Sequence, residues 1–162
     1  MRLLSQSAED TAAIAAILGK ELVSGDTVLL YGDLGAGKSV FARGCAGGLG
    51  VHQTMASPSF TLMQPYRGDR EEVYHFDLYR LSSPDELYFS GLEEHIGGEG
   101  VALIEWPQMG DVEPDRRVSV VISRGRNEQE RVIDLMLHGM EDRAEAIYRA
   151  LSPFETDTEK QA

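Results

Sequence analysis

The chain has 162 residues, 42% of them hydrophobic and 26% charged, with a formal charge of −12; this suits one soluble domain with a sizeable core. Such an excess of carboxylates repels a phosphate backbone, which argues against stand-alone nucleic-acid binding and makes a basic partner the easier fit. The single cysteine, Cys45, excludes an internal disulfide, and no Cys/His pair has metal-site spacing; with no signal-peptide pattern and no apolar run of membrane-spanning length, the expected location is cytoplasmic.

In chain order, Ile14, Ile17, Leu18 and Leu22 recur at helical spacing between Ala8 and Val23, and Ser7 with Asp10 three places later resembles an N-terminal cap. Ser24-Gly25-Asp26 breaks this helix. Thr27 to Tyr31 then read as a strand buried on both faces. A second helix is predicted from near Lys38, carrying Val40, Phe41, Cys45 and Leu49 until the glycines at 47, 48 and 50 end it.

The segment 57–81 contains two strand-like runs separated by Arg67-Gly68-Asp69, a hairpin-type signal. Ser83-Pro84-Asp85-Glu86 supplies the start of a short helix with Leu87, Leu92 and Ile96 on its buried face. After Gly97-Gly98, "VALIEWP" reads as a buried strand ending in an acid. "RVSVVIS" and "RVIDLMLH" read as antiparallel strands joined by a turn, and 141–151 as a last helix. No repeat, linker or second domain is visible, so one domain is expected over 1–152. The polar tail, 153–162, is expected to be disordered.

The most informative stretch is "YGDLGAGKS". Gly32, Gly37, Lys38 and Ser39 fit G-x-x-x-x-G-K-[ST], with a predicted strand before and a helix after, the context such a match requires. Small residues at Gly35, Ala36 and Gly37 let successive backbone N–H groups converge on a β-phosphate at the positive end of a helix. Lys38 is placed to reach the β and γ oxygens, and the Ser39 hydroxyl to hold Mg²⁺. The bland reading, a glycine-rich turn with a solvated lysine, explains none of this context.

A phosphate loop of this kind also needs a carboxylate at the end of a neighbouring strand. Glu105 ends the apolar run Val101 to Ile104 in the manner of a Walker B strand, with glutamate for aspartate. Asp77, in "VYHFDLYR", is the second candidate, suited to orienting water or supporting the metal from behind. The hydroxyls of Ser57, Ser59 and Thr61 around Pro58 suggest either a loop that closes on the γ-phosphate or a plain polar turn. Trp106 beside Glu105 fits a site cover or a core residue. The four histidines are scattered and read as surface or packed side chains; Cys45 reads as a small buried one.

Taken together and in this order, "YGDLGAGKS", "SPSFTL", "YHFDLYRL" and "LIEWP" resemble the bacterial TsaE (YjeE) family, the ATPase of tRNA threonylcarbamoyladenosine formation, over about Val28 to Pro107. The resemblance implies an α/β, P-loop NTPase-like three-layer fold whose mixed sheet has a parallel centre and antiparallel margins. It also implies a weak Mg²⁺-dependent ATPase that binds ATP and works with TsaB and TsaD homologues, meeting tRNA only through that complex. By motif, Lys38, Asp77, Glu105 and Trp106 become the catalytic candidates and Ser39 and Glu105 the metal ligands. Asp33, Leu34, Gly35, Ala36, Gly37, Lys38, Ser39 and Val40 become the nucleotide-binding loop, with Thr11 near the adenine. Ser39 and Ser59 stand where threonine is more familiar, and Gln108 where an acid is common.

Two other functions compete. One is a small-molecule kinase using Arg116, Arg117, Arg124 and Arg126 as a cationic lid; the other is a nucleotide-dependent binding module without significant hydrolysis. A GTPase is disfavoured, because no Asn/Thr-Lys-x-Asp element is present.

Overall fold

The computed structural model describes residues 1–158. Seven strands form one sheet: β1 (Arg2–Ser5), β2 (Thr27–Tyr31), β3 (Met63–Arg67), β4 (Glu72–Asp77), β5 (Val101–Glu105), β6 (Arg117–Arg124) and β7 (Arg131–His138), in the spatial order β1-β7-β6-β2-β5-β4-β3. β6, β2, β5 and β4 run parallel. β1, β7 and β3 join antiparallel at the margins. The α/β architecture with a parallel centre is therefore as the sequence led us to expect.

The burial of β2 on both faces shows why its apolar run is continuous. Val28 and Leu30 face one core, while Leu29 faces another on the opposite side of the sheet. The first core lies under α1 (Ala8–Glu21), α2 (Lys38–Gly48) and α4 (Glu141–Leu151). The second is covered by α3 (Asp85–Ser90), short 3-10 turns and the loop through Val112. Pro65, which has no N–H to give, sits in β3, the sheet's edge strand.

Local chemistry sets the helix ends. The Ser7 hydroxyl accepts from the Asp10 amide at 3.0 Å, and the Asp10 carboxylate accepts from the Gln6 amide at 3.0 Å, a reciprocal cap on α1. The glycines of α2 do more than end it. A Cβ on Gly48 would lie 2.2 Å from the Ala16 carbonyl oxygen, and one on Gly19 would lie 2.2 Å from that of Cys45. Only bare backbone lets α1 and α2 approach so closely, and this contact holds α2, with the phosphate loop at its head, against the rest of the fold.

Three features depart from the expectation. β1 was not foreseen; it pairs with β7, with Leu3 opposite Ile133. Part of the tail expected to be disordered is placed along β1, where Glu155 bridges Leu3 and the Thr156 amide donates to the Arg2 carbonyl at 3.0 Å; residues 159–162 of that tail lie outside the described residues. The predicted helix after Ser83 stops at Gly91, whose φ of 75° is left-handed, and resumes as a 3-10 turn over Leu92–His95.

Candidate functional site

The loop between β2 and α2 is shaped by glycines at three positive-φ positions, Gly32 at 153°, Gly35 at 77° and Gly37 at 117°. Side chains there would be strained, and their absence lets the main chain wrap closely around a ligand. Gly37 is the N-cap of α2, and no residue of the helix's own first turn is acidic.

Lys38 opens α2 and is buried. Its ammonium donates to the carbonyls of Gly32 and Asp33, the latter at 2.9 Å, and lies 4.1 Å from the centre of the Trp106 ring. Burial lowers the Lys38 pKa, while Glu105, Asp33 and Asp77 pull it back up. Trp106 adopts a left-handed backbone at φ 57°, which turns its ring from the end of β5 toward this ammonium and onto Tyr79. The sequence left Trp106 between core and site cover; its ring borders the cavity.

Ser39 follows, and its hydroxyl donates to Oε1 of Glu105 at 2.9 Å. Glu105 is only 3% exposed. Its second oxygen, Oε2, lies 2.7 Å from Nε2 of His75, itself 2% exposed. The other imidazole nitrogen, Nδ1, is buried without a hydrogen-bond partner among the described residues. Asp77 ends β4 beside Glu105 in the strand register. Its Oδ1 accepts from the Tyr79 amide at 3.1 Å, and burial raises its pKa above the usual carboxylate range.

These groups surround one open cavity of about 380 Å³, bordered by Gly37, Lys38, Ser39, Asp77, Glu105 and Trp106. Leu34, Gly35, Val40, Ser59, Tyr79 and Arg80 complete the rim, so one residue of the 57–61 loop borders the site. Ser57 instead lies 2.7 Å from the Ser59 hydroxyl, and Thr61 donates to the Met63 carbonyl. Asp33 contributes its carbonyl to Lys38, and its side chain is exposed. Thr11 lies on the far side of Gly35–Gly37, in a second cleft of about 140 Å³ that also touches Ala36 and Val40. Its hydroxyl lies 2.6 Å from that of Ser5.

Sequence reasoning overlooked His75, Arg131 and the rim residues Tyr79 and Arg80. His75 was read as scattered, although it stands two places before Asp77 and thus on the same face of β4. Arg131 donates to the Ala36 carbonyl at 2.8 Å and clamps the phosphate loop from β7; no local motif marks it. Conversely, the four arginines of the kinase reading do not gather into one lid: the Arg124 guanidinium reaches the loop, 3.4 Å from where a Cβ on Gly35 would lie, but two others are far from it. Arg117 pairs in register with Thr27, at the end of β2 opposite the phosphate loop, and Arg116 binds Asp26 at 2.8 Å.

The oxygen donors fit a hard cation. Mg²⁺ takes few protein oxygens and completes its shell with water and phosphate; the Ser39 hydroxyl keeps two lone pairs while it donates to Glu105. Among the described residues, no group of three or more His, Cys, Asp or Glu side chains could hold a metal.

The model of the family described as threonylcarbamoyl adenosine biosynthesis protein TsaE matches residues 5–133. The chain is 44% identical to the tRNA threonylcarbamoyladenosine biosynthesis protein TsaE of Treponema pallidum over 65% of this chain and 78% of that protein. It is 38% identical to the protein of that name from Bacillus subtilis over 76% of this chain and 78% of that one. The crystal structure of Bacillus subtilis YdiB superposes with a TM-score of 0.75 at 32% identity, covering 94% of both chains. A family match spanning most of the strands and the whole phosphate loop, joined to a shared fold over nearly the full length, places this chain in the TsaE family.

Proposed function

We propose that the protein is a Mg²⁺-dependent P-loop ATPase that serves the formation of threonylcarbamoyladenosine in tRNA, as the names of its relatives indicate. The observation that carries this reading is the Ser39–Glu105 hydrogen bond of 2.9 Å. It joins the first turn after the phosphate loop to the acid ending β5, the strand adjacent to β2.

In this reading the amides of Gly35 to Lys38 hold the β-phosphate and the Lys38 ammonium leaves the Gly32 and Asp33 carbonyls for the phosphate oxygens. Ser39 and Glu105 would hold Mg²⁺, which supplies charge neutralisation across the β and γ oxygens. Asp77, beside Glu105 and facing the same cavity, is placed to accept a hydrogen bond from the attacking water. Its raised pKa makes it a better proton acceptor than an ordinary aspartate. The 57–61 loop, with Ser59 on the rim, closes over the γ-phosphate.

The charge of −12 supports leaving tRNA to partners, and we assign that part to TsaB and TsaD homologues. The test is ATP hydrolysis and tRNA modification with each component omitted in turn. Turnover is expected to be slow alone and to rise with both partners, and Lys38→Ala or Glu105→Ala should remove the rise. Equal turnover with and without partners overturns the coupling. Turnover that needs a small-molecule acceptor points to a kinase, and nucleotide binding without hydrolysis in the full mixture points to a binding module.

A further inference from the structure

Glu105 has to satisfy two demands that conflict. A carboxylate that is only 3% exposed is costly unless its oxygens are hydrogen-bonded, yet a metal ligand must keep one lone pair aimed at the ion. The two oxygens are shared out accordingly. Ser39, on α2, donates to Oε1, and His75, on β4, meets Oε2 at 2.7 Å.

A carboxylate only accepts, so the proton of this contact belongs to Nε2 of His75. The other ring nitrogen, Nδ1, is buried with no partner among the described residues. A fully hydrogen-bonded core would not leave such a nitrogen unpaired, and buried exceptions of this kind need a reason. The ring is thus held where Glu105 needs it, at the expense of its own second nitrogen. The strand register explains the reach: His75 lies opposite Leu103 and Asp77 opposite Glu105 on parallel β4 and β5. His75 therefore sits one same-face step behind the two acids, and its ring extends diagonally to Oε2 from the side away from the cavity.

We propose that His75 is a positioning residue for Glu105: its Nε2–H fixes one carboxylate oxygen so that the other, with the Ser39 hydroxyl, presents a preset pair of oxygens to the Mg²⁺ of the bound nucleotide. This rests on the Mg²⁺-nucleotide reading above. Removing a partner of this sort behind a metal ligand typically weakens metal affinity or activity by about 10- to 100-fold.

The test uses the single tryptophan of the chain, Trp106, next to Glu105, as a fluorescent reporter. The full-length protein is titrated with Mg²⁺ in the presence of ADP, and with ADP in the absence of Mg²⁺. His75→Ala should raise the Mg²⁺ concentration at half-saturation by about 10-fold or more and leave Mg²⁺-free ADP affinity within about twofold. His75→Gln carries an N–H at comparable reach and should recover most of the loss. His75→Leu, of similar volume but with no N–H, should not; the Gln and Leu pair decides the matter if the alanine variant fails to fold. A Mg²⁺ half-saturation in His75→Ala within twofold of wild type, or equal behaviour of Gln and Leu, overturns the role. Absence of any Mg²⁺ effect on the wild-type protein is a different outcome, one that removes the ATPase reading and this proposal with it.

Discussion

Asp77 and Glu105 are direct neighbours in register on parallel strands, and their carboxyls border one cavity with the Lys38 ammonium. Two acids so close differ in their surroundings: Glu105 is tied at both oxygens, whereas among the described residues the Asp77 carboxyl is bonded to the Tyr79 amide alone.

Asp77 therefore offers a separable test. Burial raises its pKa, with Glu105 adding to the rise and the Tyr79 amide, His75 and Lys38 opposing it. An acid whose folded pKa exceeds its unfolded value favours folding at low pH, and that contribution is lost as pH rises from the unfolded through the folded value. Asp77→Asn should then leave the melting temperature at pH 7 unchanged or slightly higher in Mg²⁺-free buffer. It should also flatten the decline in stability from the ordinary carboxylate range into weakly acidic pH. Partner-stimulated turnover should fall by about 100-fold or more, as for loss of a general base. Turnover within threefold of wild type would remove Asp77 from the chemistry.

Lys38 and Trp106 form the second test. With the ammonium 4.1 Å from the indole centre, its transfer to phosphate must change the environment of Trp106. Tryptophan emission should shift or quench on addition of ATP with Mg²⁺. Lys38→Ala should weaken ATP binding by about 10- to 100-fold, the scale of a hydrogen bond to a charged group, ~1.5–3 kcal/mol. Calorimetry on the same samples gives the affinity independently of the fluorescence.

Two neighbouring glycines of α2 should respond in opposite directions. Gly48→Ala drives a Cβ to 2.2 Å from the Ala16 carbonyl and should cost about 1–3 kcal/mol, or more if α1 cannot shift. A Cβ on Gly47 meets nothing within 4 Å, so Gly47→Ala should stabilise by about 0.5–1 kcal/mol through helix propensity. Urea unfolding midpoints of the two variants measure the difference. Equal shifts would mean that the α1–α2 approach is not tight in solution.

Asp26 should matter for stability and not for the nucleotide. Its carboxylate, fully buried, accepts from Arg143 at both oxygens at 2.8 Å, from Arg116 at 2.8 Å and from the Val23 amide at 2.8 Å. Asp26→Ala removes the acceptor shared by two partly exposed arginines and the Val23 amide and should cost about 1.5–3 kcal/mol in thermal or chemical unfolding. It lies at the end of β2 away from the phosphate loop, so ADP affinity at a temperature where the variant is folded should stay within about twofold.

Much of this protein is legible in short stretches of its sequence, because the relevant physics is local. The phosphate loop is such a case: the conformations it needs at Gly35 and Gly37 are ones that glycine alone adopts freely, and the strand before it and helix after it carry their own periodicity. The acid at 105 was visible for a similar reason, ending an apolar run, and that at 77 less cleanly, ending a strand-like run interrupted by His75.

What the sequence could not decide was pairing across distance. β1 has only four residues, too short to show a period, and it exists because β7 offers it an edge. Gly48 looked like a helix end until Ala16 was found packed on it. His75 had no signal of its own; its meaning comes from the parallel register of β4 and β5, which sets an imidazole against a carboxylate thirty residues away. Backbone conformation and periodicity are properties of a few consecutive residues and can be read from them, whereas the partner of a buried polar atom is selected only when the whole sheet has closed.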